Sequence, residues 1–154
     1  MDGAILRGLG EIGLTNFAPY LMNRIMGRYN AGFREELAGL GLTTPKARAL
    51  AVLSVMEAPL VGELAVYTVT EQSTLSRALD QLQSESLIRR ETDATDSRAV
   101  RVSITDAGRA VFADLWPHMH DAQERMFRDI PAAERQAFTA TLQKMLVNIR
   151  KHEI

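Results

Sequence analysis

The sequence predicts a mainly α-helical fold with a small β-hairpin, α+β only in a minor sense, and three observations carry that prediction. Apolar residues recur three and four positions apart along most of the chain, which is the period of amphipathic helices. Two short β-type runs, 87–91 and 99–104, break that period, and a polar turn joins them. The 154 residues are 46% hydrophobic, enough for one domain, 1–154, with a sizeable core.

The first long helix is predicted at about residues 14–39. It carries apolar residues at near-helical spacing, namely Phe17, Leu21, Ile25, Tyr29 and Phe33. Gly41 follows this helix and fits a C-cap, because glycine readily adopts the left-handed conformation that ends many helices. Thr44 is expected to cap a second helix, which has Pro45 in its first turn and runs through Met56.

Two short helices joined by a tight turn are predicted next. The dipeptide Ala58-Pro59 ends the preceding helix, and Val61 to Tyr67 forms the first helix of the pair. Residues 68–70 form the turn, and the second helix covers about residues 70–83. Its apolar stripe consists of Leu75, Leu79 and Leu82. This arrangement is typical of a helix-turn-helix.

The second helix of the pair has a polar face opposite its leucines. That face carries Gln72, Ser73, Ser76 and Arg77. In a DNA major groove an amide pairs with adenine, an arginine with guanine and a hydroxyl with several bases. Taken alone, the pattern fits a solvated amphipathic helix equally well, because such helices are common.

The β-type runs predict a hairpin at residues 88–104 that projects beyond the helices. Its second strand alternates Val100, Val102 and Ile104 with polar or small residues. Its tip carries Arg98, and Asp96 is expected to hold that guanidinium by a charge-assisted bond. An arginine fixed on a projecting ribbon suits a narrow minor groove. The alternative is a surface hairpin with an ordinary ion pair, which adds little stability.

Two helices are predicted after the hairpin. Thr105 caps the first, which runs from Asp106 toward Phe127, and Pro117 is expected to bend it. The last helix starts after Pro131, and its apolar residues are Phe138, Leu142, Met145, Leu146 and Ile149. One small domain cannot cover all of these stripes, so the first helix and the last two predict a homodimer. The alternative is that they form the core of a monomer.

Two motifs carry a resemblance to a known family. Asp96-Ser97-Arg98 followed by Ile104-Thr105-Asp106-Ala107-Gly108 is similar to a wing signature, and Leu79 to Leu82 followed by Leu87-Ile88 and Arg90 is similar to a recognition-helix exit. Both belong to the MarR family of winged helix-turn-helix transcription regulators, and the chain resembles its SlyA-like branch. The resemblance implies a DNA-binding lobe at 44–105 and a helical dimerisation lobe at 10–41 and 106–152.

The resemblance also implies DNA contacts residue by residue. The expected DNA-binding residues are Gln72, Ser73, Thr74, Ser76, Arg77, Arg90, Asp96 and Arg98. Those on the recognition helix would face the major groove. Arg98 would enter the minor groove, and Asp96 would orient it. Arg90 would either touch a phosphate or brace the wing. Many relatives have a second arginine in place of Ser97 and a glycine in place of Ser86, so the turn at Ser86 lacks its usual residue for positive φ.

Charge and composition narrow the function classes. The net charge is -1, and residues 61–105 hold five arginines against seven acidic residues, whereas non-specific DNA affinity comes mainly from basic side chains. Four of those arginines lie within 89–101. The alternative function is therefore a winged-helix protein-interaction module that does not bind DNA. The absence of cysteine excludes a disulfide framework, a thiolate zinc site and sensing by thiol oxidation.

The sequence lacks the usual catalytic patterns, so it predicts no enzyme. It has no Gly-x-Ser-x-Gly, no glycine-rich phosphate loop and no patterned nucleophile. His118 and His120 lie two residues apart, which turns them to different faces of a helix, so no metal site is expected. A metal-dependent enzyme built on these histidines and Glu124 is the remaining alternative, since His120 and Glu124 share a face.

A ligand pocket is expected between the first helix and the long helix after the hairpin. Its walls would be Phe17, Tyr20, Arg24, Trp116 and Met119, although such stripes are more often plain core. The resemblance implies that this crevice accepts a small aromatic carboxylate and that no other cofactor is needed. No apolar stretch approaches the ~20 residues of a membrane span, and the N-terminus shows no leader. The expectation is a cytoplasmic, ligand-responsive repressor of a bacterium or archaeon that binds a near-palindromic operator as a homodimer.

Overall fold

The computed structural model describes residues 6–154 and confirms a mainly helical chain with one two-stranded hairpin. In chain order its elements are α1 Leu9–Ile12, a 3-10 turn Leu14–Asn16, α2 Ala18–Gly39, α3 Thr44–Leu53, α4 Val61–Thr68, α5 Gln72–Ser84, β1 Ile88–Thr92, β2 Val100–Ile104, α6 Asp106–Met126 and α7 Ala132–Ile149. Of these, α4 and α5 form the helix-turn-helix, and β1 and β2 form the wing. No helix between residues 6 and 154 is long and apolar enough to cross a membrane.

The core lies where the helix-turn-helix, the wing and the middle helices meet. The fully buried side chains Leu37, Leu50, Leu53, Leu64, Leu75, Leu79, Leu82, Ile88, Val102 and Leu115 come from α2 to α6 and both strands. Burying one such side chain contributes about 1.5–3 kcal/mol to folding. This packing fixes α5 relative to the wing, and a partly buried ion pair adds to it. Lys46 of α3, only 4% exposed, donates to Glu85 just beyond α5 at 2.7 Å.

The wing is an antiparallel hairpin whose register runs from Ile88 opposite Ile104 to Thr92 opposite Val100. β2 pairs on its other side with the extended residues before α4. The amide of Val102 donates to the carbonyl of Pro59 at 3.0 Å, and Leu60 forms a bridge with Arg101. This third strand-like pairing was not predicted, because two residues are too short for a strand pattern. It ties the base of the wing to the start of α4.

Several predicted helix boundaries were wrong by a few residues. The first long helix begins at Ala18 rather than about residue 14, since Phe17 is extended with φ -98°. Thr43 rather than Thr44 takes the N-cap conformation of α3, with ψ 161° and no side-chain capping bond. α3 ends at Leu53, before Met56, and the hydroxyl of Ser54 donates to the carbonyl of Ala51 there. Such local side-chain bonds compete with further helix.

The second helix of the helix-turn-helix, α5, begins at Gln72, two residues later than predicted. The amide of Leu87 donates to the carbonyl of Leu82, and that of Ser86 to Gln83, which is the Schellman pattern at the end of a helix. Ser86 therefore takes the left-handed conformation itself, with φ +60°. The predicted C-cap Gly41 has φ +68° at the same position after α2. A side chain in this conformation costs roughly 1–2 kcal/mol, whereas glycine adopts it readily.

Thr105 caps α6, as predicted. Its hydroxyl accepts from the amide of Gly108 at 3.0 Å and donates to the carbonyl of Ser86 at 2.7 Å. Gly108 packs so closely that a Cβ atom there would overlap the carbonyl oxygen of Leu87 and crowd the side chain of Ile104. The cap and the glycine together hold the start of α6 against the end of α5. α6 continues through Pro117, and the bend expected there stays a prediction.

Candidate nucleic-acid interface

One face of α5 presents polar side chains to solvent. Gln72, Ser73, Ser76 and Arg77 are exposed, while Thr74 is half-buried beside the row of core leucines. The Nε atom of Arg77 makes only a long bond, 3.4 Å, to the carbonyl of Ser73 one turn earlier. No carboxylate among residues 6–154 forms an ion pair with this guanidinium. Four polar side chains are therefore available to an outside partner.

The tip of the wing is organised by Asp93, which sequence reasoning missed. Its carboxylate accepts from the amide of Thr95 at 3.1 Å, the hydroxyl of Thr95 at 2.7 Å and the amide of Asp96 at 3.1 Å, and it pairs with the guanidinium of Arg101. The bonds from the Thr95 hydroxyl and from Arg101 hold the pKa of Asp93 far below its usual range. Arg101 also donates to the carbonyl of Ala58 at 2.9 Å, so the tip is tied to the loop before α4.

The expected bond between Asp96 and the guanidinium of Arg98 was wrong. Asp96 Oδ1 accepts instead from the backbone amide of Arg98 at 2.9 Å. The reason is local, because an aspartate side chain readily reaches the amide two residues further on. Asp96 thus shapes the backbone of the tip. Within the described part of the chain, the exposed guanidinium of Arg98 has no acidic partner.

Arg90 joins the wing to the recognition helix. Its Nη2 atom lies 2.8 Å from Oδ1 of Asp80, and its Nε atom donates to Oε1 of Gln83 at 2.6 Å. Arg90 belongs to β1, and both partners belong to α5. Arg90 was expected either to touch a phosphate or to brace the wing. These contacts favour the second role, because they hold the wing against α5.

A groove of about 650 Å³ runs between α5, the wing and the start of α4. Its lining brings together Gln72 and Ser76 from α5, Arg90 and Arg98 from the wing, and residues 60–62. The sequence predicted one interface for the four polar side chains from α5 and the wing, and all four line this groove. Ser73 and Arg77 lie on the exposed side of α5 outside its lining, and Thr74 does not reach it.

A second cavity, of about 450 Å³, lies among α2, α3, α6 and the turn before α5. Of the five residues expected to form a ligand pocket, only Met119 lines it. Arg24 lies on the surface, where it donates to the hydroxyl of Tyr20 at 3.3 Å. Phe17 and Trp116 are 41% and 49% exposed. The chain therefore does not gather the five residues around one cavity, because the α2 residues that face α6 here are Met26, Tyr29 and Phe33, farther along the helix than Phe17, Tyr20 and Arg24.

The cation in this cavity is Arg48 of α3. Its Nη1 atom lies 3.5 Å from the carbonyl oxygen of Thr68 and 3.4 Å from that of Val69. Tyr29 lies in the same wall, and burial raises the pKa of its hydroxyl, an effect that the charge of Arg48 partly offsets. Sequence reasoning missed Arg48 because it searched only the first helix and the helix after the hairpin.

The two histidines of α6 have separate partners. His118 Nδ1 lies 3.6 Å from Oε2 of Glu36, and His120 Nε2 lies 3.9 Å from Oε1 of Glu124. Glu36 also pairs with Arg125 at 3.0 Å, and Glu124 accepts two bonds from Arg135 at 2.6 and 3.2 Å. The carboxylates therefore serve ion pairs between helices, and the two imidazoles do not converge on one point.

The terminal helices leave a long apolar surface uncovered. α7 contains no buried residue, and neither does the first half of α2. The exposed large apolar side chains on these helices are Leu21, Ile25, Met26, Phe138, Leu142, Leu146, Val147 and Ile149. A patch of this kind is typical of a protein–protein interface.

Comparison with known proteins agrees with this architecture. The model of the MarR family matches residues 40–99, which span α3 to the tip of the wing. A crystal structure of a MarR family transcriptional regulator from Silicibacter pomeroyi is 60% identical with a TM-score of 0.91, and the alignment covers 96% of this chain and 100% of that one.

Two more distant relatives have described activities. The transcriptional repressor NicR of Pseudomonas putida is 25% identical over 133 residues, 86% of this chain and 84% of NicR. BpsR of Bordetella bronchiseptica, whose DNA binding is regulated by 6-hydroxynicotinic acid, is 26% identical with a TM-score of 0.73, over 83% of this chain and 97% of BpsR. Given 60% identity over nearly the whole of both chains, the protein belongs to the MarR family, whose members are transcriptional regulators and not enzymes.

Proposed function

We propose that this regulator binds a near-palindromic double-stranded DNA operator as a homodimer and acts most often as a repressor. The proposal depends on one observation. Two exposed arginines without acidic partners, Arg77 on α5 and Arg98 on the wing, lie on elements that Arg90 joins together. NicR, a relative along most of its length, is a repressor. A protein with this function acts in the cytoplasm of a bacterium or archaeon.

In this proposal each polar side chain of the interface has a role. Arg77, with Gln72, Ser73 and Ser76, reads base edges in the major groove, and Arg98 enters the minor groove. Thr74, which is half-buried, makes at most an edge contact. Asp96 shapes the tip that carries Arg98, and Arg90 keeps the two readers at a fixed spacing.

The uncovered apolar surface supports the homodimer. We assign residues 10–41 and 106–152 to a dimerisation lobe and 44–105 to a DNA-binding lobe. Two-fold symmetry then presents two recognition helices to half-sites spaced by about 10 base pairs or a multiple of that number. The wing and helix-exit motifs also favour the SlyA-like branch.

The cavity beside Arg48 supports a small aromatic carboxylate as the effector. Apolar and aromatic walls, including Met26, Tyr29, Phe33 and Met119, surround one guanidinium, which suits an aromatic ring that carries an acid group. BpsR responds to an acid of this class. Such an effector releases the operator by binding the DNA-free geometry better, typically with a coupling of about 1–3 kcal/mol.

Selection of bound sites from random DNA tests the proposal most directly. We expect an enriched inverted repeat. Arg77→Ala should weaken operator binding by about 1–3 kcal/mol and lose preference at one base in each half-site, whereas Arg98→Ala should weaken all sequences more evenly. Gel-shift titration measures both, with Arg34→Ala as a control, because Arg34 is exposed on the face of α2 opposite Ile25. Equal affinity of Arg77→Ala and the parent for every sequence would refute base reading by Arg77.

The net charge of -1 favours one other candidate, a winged-helix module that binds protein and not DNA. The salt dependence of binding separates the two. For a DNA reader, the logarithm of the affinity falls linearly with the logarithm of the salt concentration, because phosphate contacts release counterions. A pure protein adaptor shows no complex with DNA at low salt.

A further inference from the structure

The turn between α4 and α5 is held in a strained conformation. Val69 has φ +51° and ψ 46°, in the left-handed region, which is rare for a β-branched residue. Its side chain is 82% exposed, so packing does not keep it there. Because α5 starts three residues later, the conformation of Val69 sets the direction in which the recognition helix leaves the turn.

Backbone and side-chain hydrogen bonds hold this turn. The amide of Thr70 donates to the carbonyl of Ala65, and that of Val69 to Val66, both at 3.2 Å. The only side chain from another helix that adds to them, within the described residues, is Arg48, which bonds the carbonyls of Thr68 and Val69 at 3.5 and 3.4 Å. A cation at a helix C-terminus also interacts favourably with the helix dipole.

Arg48 faces two possible acceptors. It caps α4, and it also lines the 450 Å³ cavity together with Thr68 and Val69. Its bonds to the two neutral carbonyls are long, whereas a carboxylate in the cavity would accept two short, parallel bonds from the guanidinium fork. Charge-assisted bonds of that kind are roughly twice as strong as neutral ones. A carboxylate ligand therefore competes directly with the cap.

We propose that Arg48 is a positioning residue with two states, in which it either holds the strained turn at Val69 or binds the carboxylate of an effector. In the first state α5 is set for the operator. In the second state the carbonyl of Val69 loses the donor that Arg48 supplied, and the carbonyl of Thr68 keeps only the hydroxyl of Thr70, at 3.1 Å. Val69 then relaxes, and α5 no longer matches the groove. This inference rests on the proposed DNA and effector binding, and it adds the residue through which the two are coupled.

The ligand-free test uses substitutions at the two ends of this contact. Arg48→Met keeps the length of the side chain but removes its donors, and we expect it to lower operator affinity about tenfold, the effect of losing two modest hydrogen bonds. Arg48→Lys should fall between Arg48→Met and the parent. Arg109→Met is the matched control, because Arg109 donates to the carbonyl of Ser54 at a similar 3.4 Å but does not touch the turn.

The decisive variant adds Val69→Gly to Arg48→Met. Glycine adopts the left-handed conformation without a cap, so the double variant should regain operator affinity. If Arg48 only stabilised the fold, a substitution at the exposed position 69 would not restore operator affinity. Circular dichroism melts of all variants confirm that the fold is retained. Parent-like affinity of Arg48→Met, or failure of Val69→Gly to restore it, overturns the proposal.

The effector arm uses 6-hydroxynicotinate, benzoate and salicylate as probes, with benzamide as the uncharged control. The acids should dissociate the parent from operator DNA, whereas benzamide should not. The double variant should bind operator and stay bound when the acids are added. Release of the double variant by the acids, or a parent that ignores all three at millimolar concentration, overturns this coupling while operator binding still stands. A parent that enriches no DNA sequence overturns the proposed function itself.

Discussion

The Nη2 atom of Arg90 in the wing lies 2.8 Å from the Oδ1 atom of Asp80 on the recognition helix. Asp80 is 65% exposed at its side chain, so this ion pair contributes little to folding, about 0–1 kcal/mol. Its value is geometric, because it fixes the distance between the two elements proposed to read adjacent grooves. The acidic residue on α5, the helix proposed to face DNA, is then explained by the arginine that it holds.

Asp80→Asn tests this role of the pair. We expect a small change in melting temperature and a clear loss of operator affinity, since the wing becomes free to move. If Arg90 braces the wing, Arg90→Gln and the double variant Asp80→Asn/Arg90→Gln should both bind as weakly as Asp80→Asn, because the two partners act as one unit. If Arg90 contacts a phosphate instead, Asp80→Asn should bind as well as the parent, and Arg90→Gln should reduce the salt slope by about 1. Gel-shift titration at several salt concentrations separates these outcomes.

The carbonyl of Leu87 explains why position 108 is glycine. Gly108→Ala would place a methyl group against this backbone oxygen, where neither α6 nor the exit of α5 can move without breaking the Thr105 cap. We expect a loss of about 1–3 kcal/mol in the free energy of unfolding, the usual cost of overpacking. Urea denaturation measures it.

Gly39→Ala provides the control for that substitution. Gly39 lies in the last turn of α2, and a Cβ atom there would meet no heavy atom within 4 Å. Alanine should therefore be neutral or gain up to about 1 kcal/mol from its higher helix propensity. Equal losses at both positions would mean that steric contact with Leu87 is not the cause.

The sequence was sufficient for elements with long, regular patterns. The leucine stripe of α5, the alternation in β2 and the Thr105 cap were all predicted, because each depends on residues close together in the chain. The side-chain geometry of the wing tip and the contacts between distant elements were not predicted. Asp96 and Arg98 form a plausible ion pair in sequence, yet the side chain reaches the nearer amide. The cavity beside Arg48 was missed because only the packed structure brings Arg48 of α3 together with Met119 of α6 and the turn before α5.

Ser86 takes a conformation that favours glycine, with φ +60° at the end of α5. Ser86→Gly should raise the free energy of unfolding by about 0.5–1 kcal/mol, because the side chain no longer opposes the left-handed backbone. The carbonyl of Ser86 would still accept from Thr105. Ser84→Gly is the matched control, since Ser84 is helical, and it should lose about 0.5 kcal/mol, the difference in helix propensity between serine and glycine. Thermal and urea melts of both variants test the prediction, which an equal loss at the two positions would contradict.

The charge of Asp93 should make the tip of the wing sensitive to acid. Its hydrogen bonds from Thr95 and Arg101 lower its pKa in the folded protein, so it binds a proton less readily than in the unfolded chain. The stabilisation is therefore complete above the unfolded value of about 3.9 and is lost as the pH falls through the lower folded value.

Asp93→Asn removes this carboxylate and most of that dependence. The variant should melt below the parent at neutral pH, because Arg101 loses its ion pair, and the gap should shrink only as the pH falls well below about 4. Asp114→Asn, at an exposed position in the middle of α6, serves as a control for the loss of one acidic charge. A gap between Asp93→Asn and the parent that stays constant down to the most acidic pH would show that the hydrogen bonds to Asp93 act through shape and not through its charge.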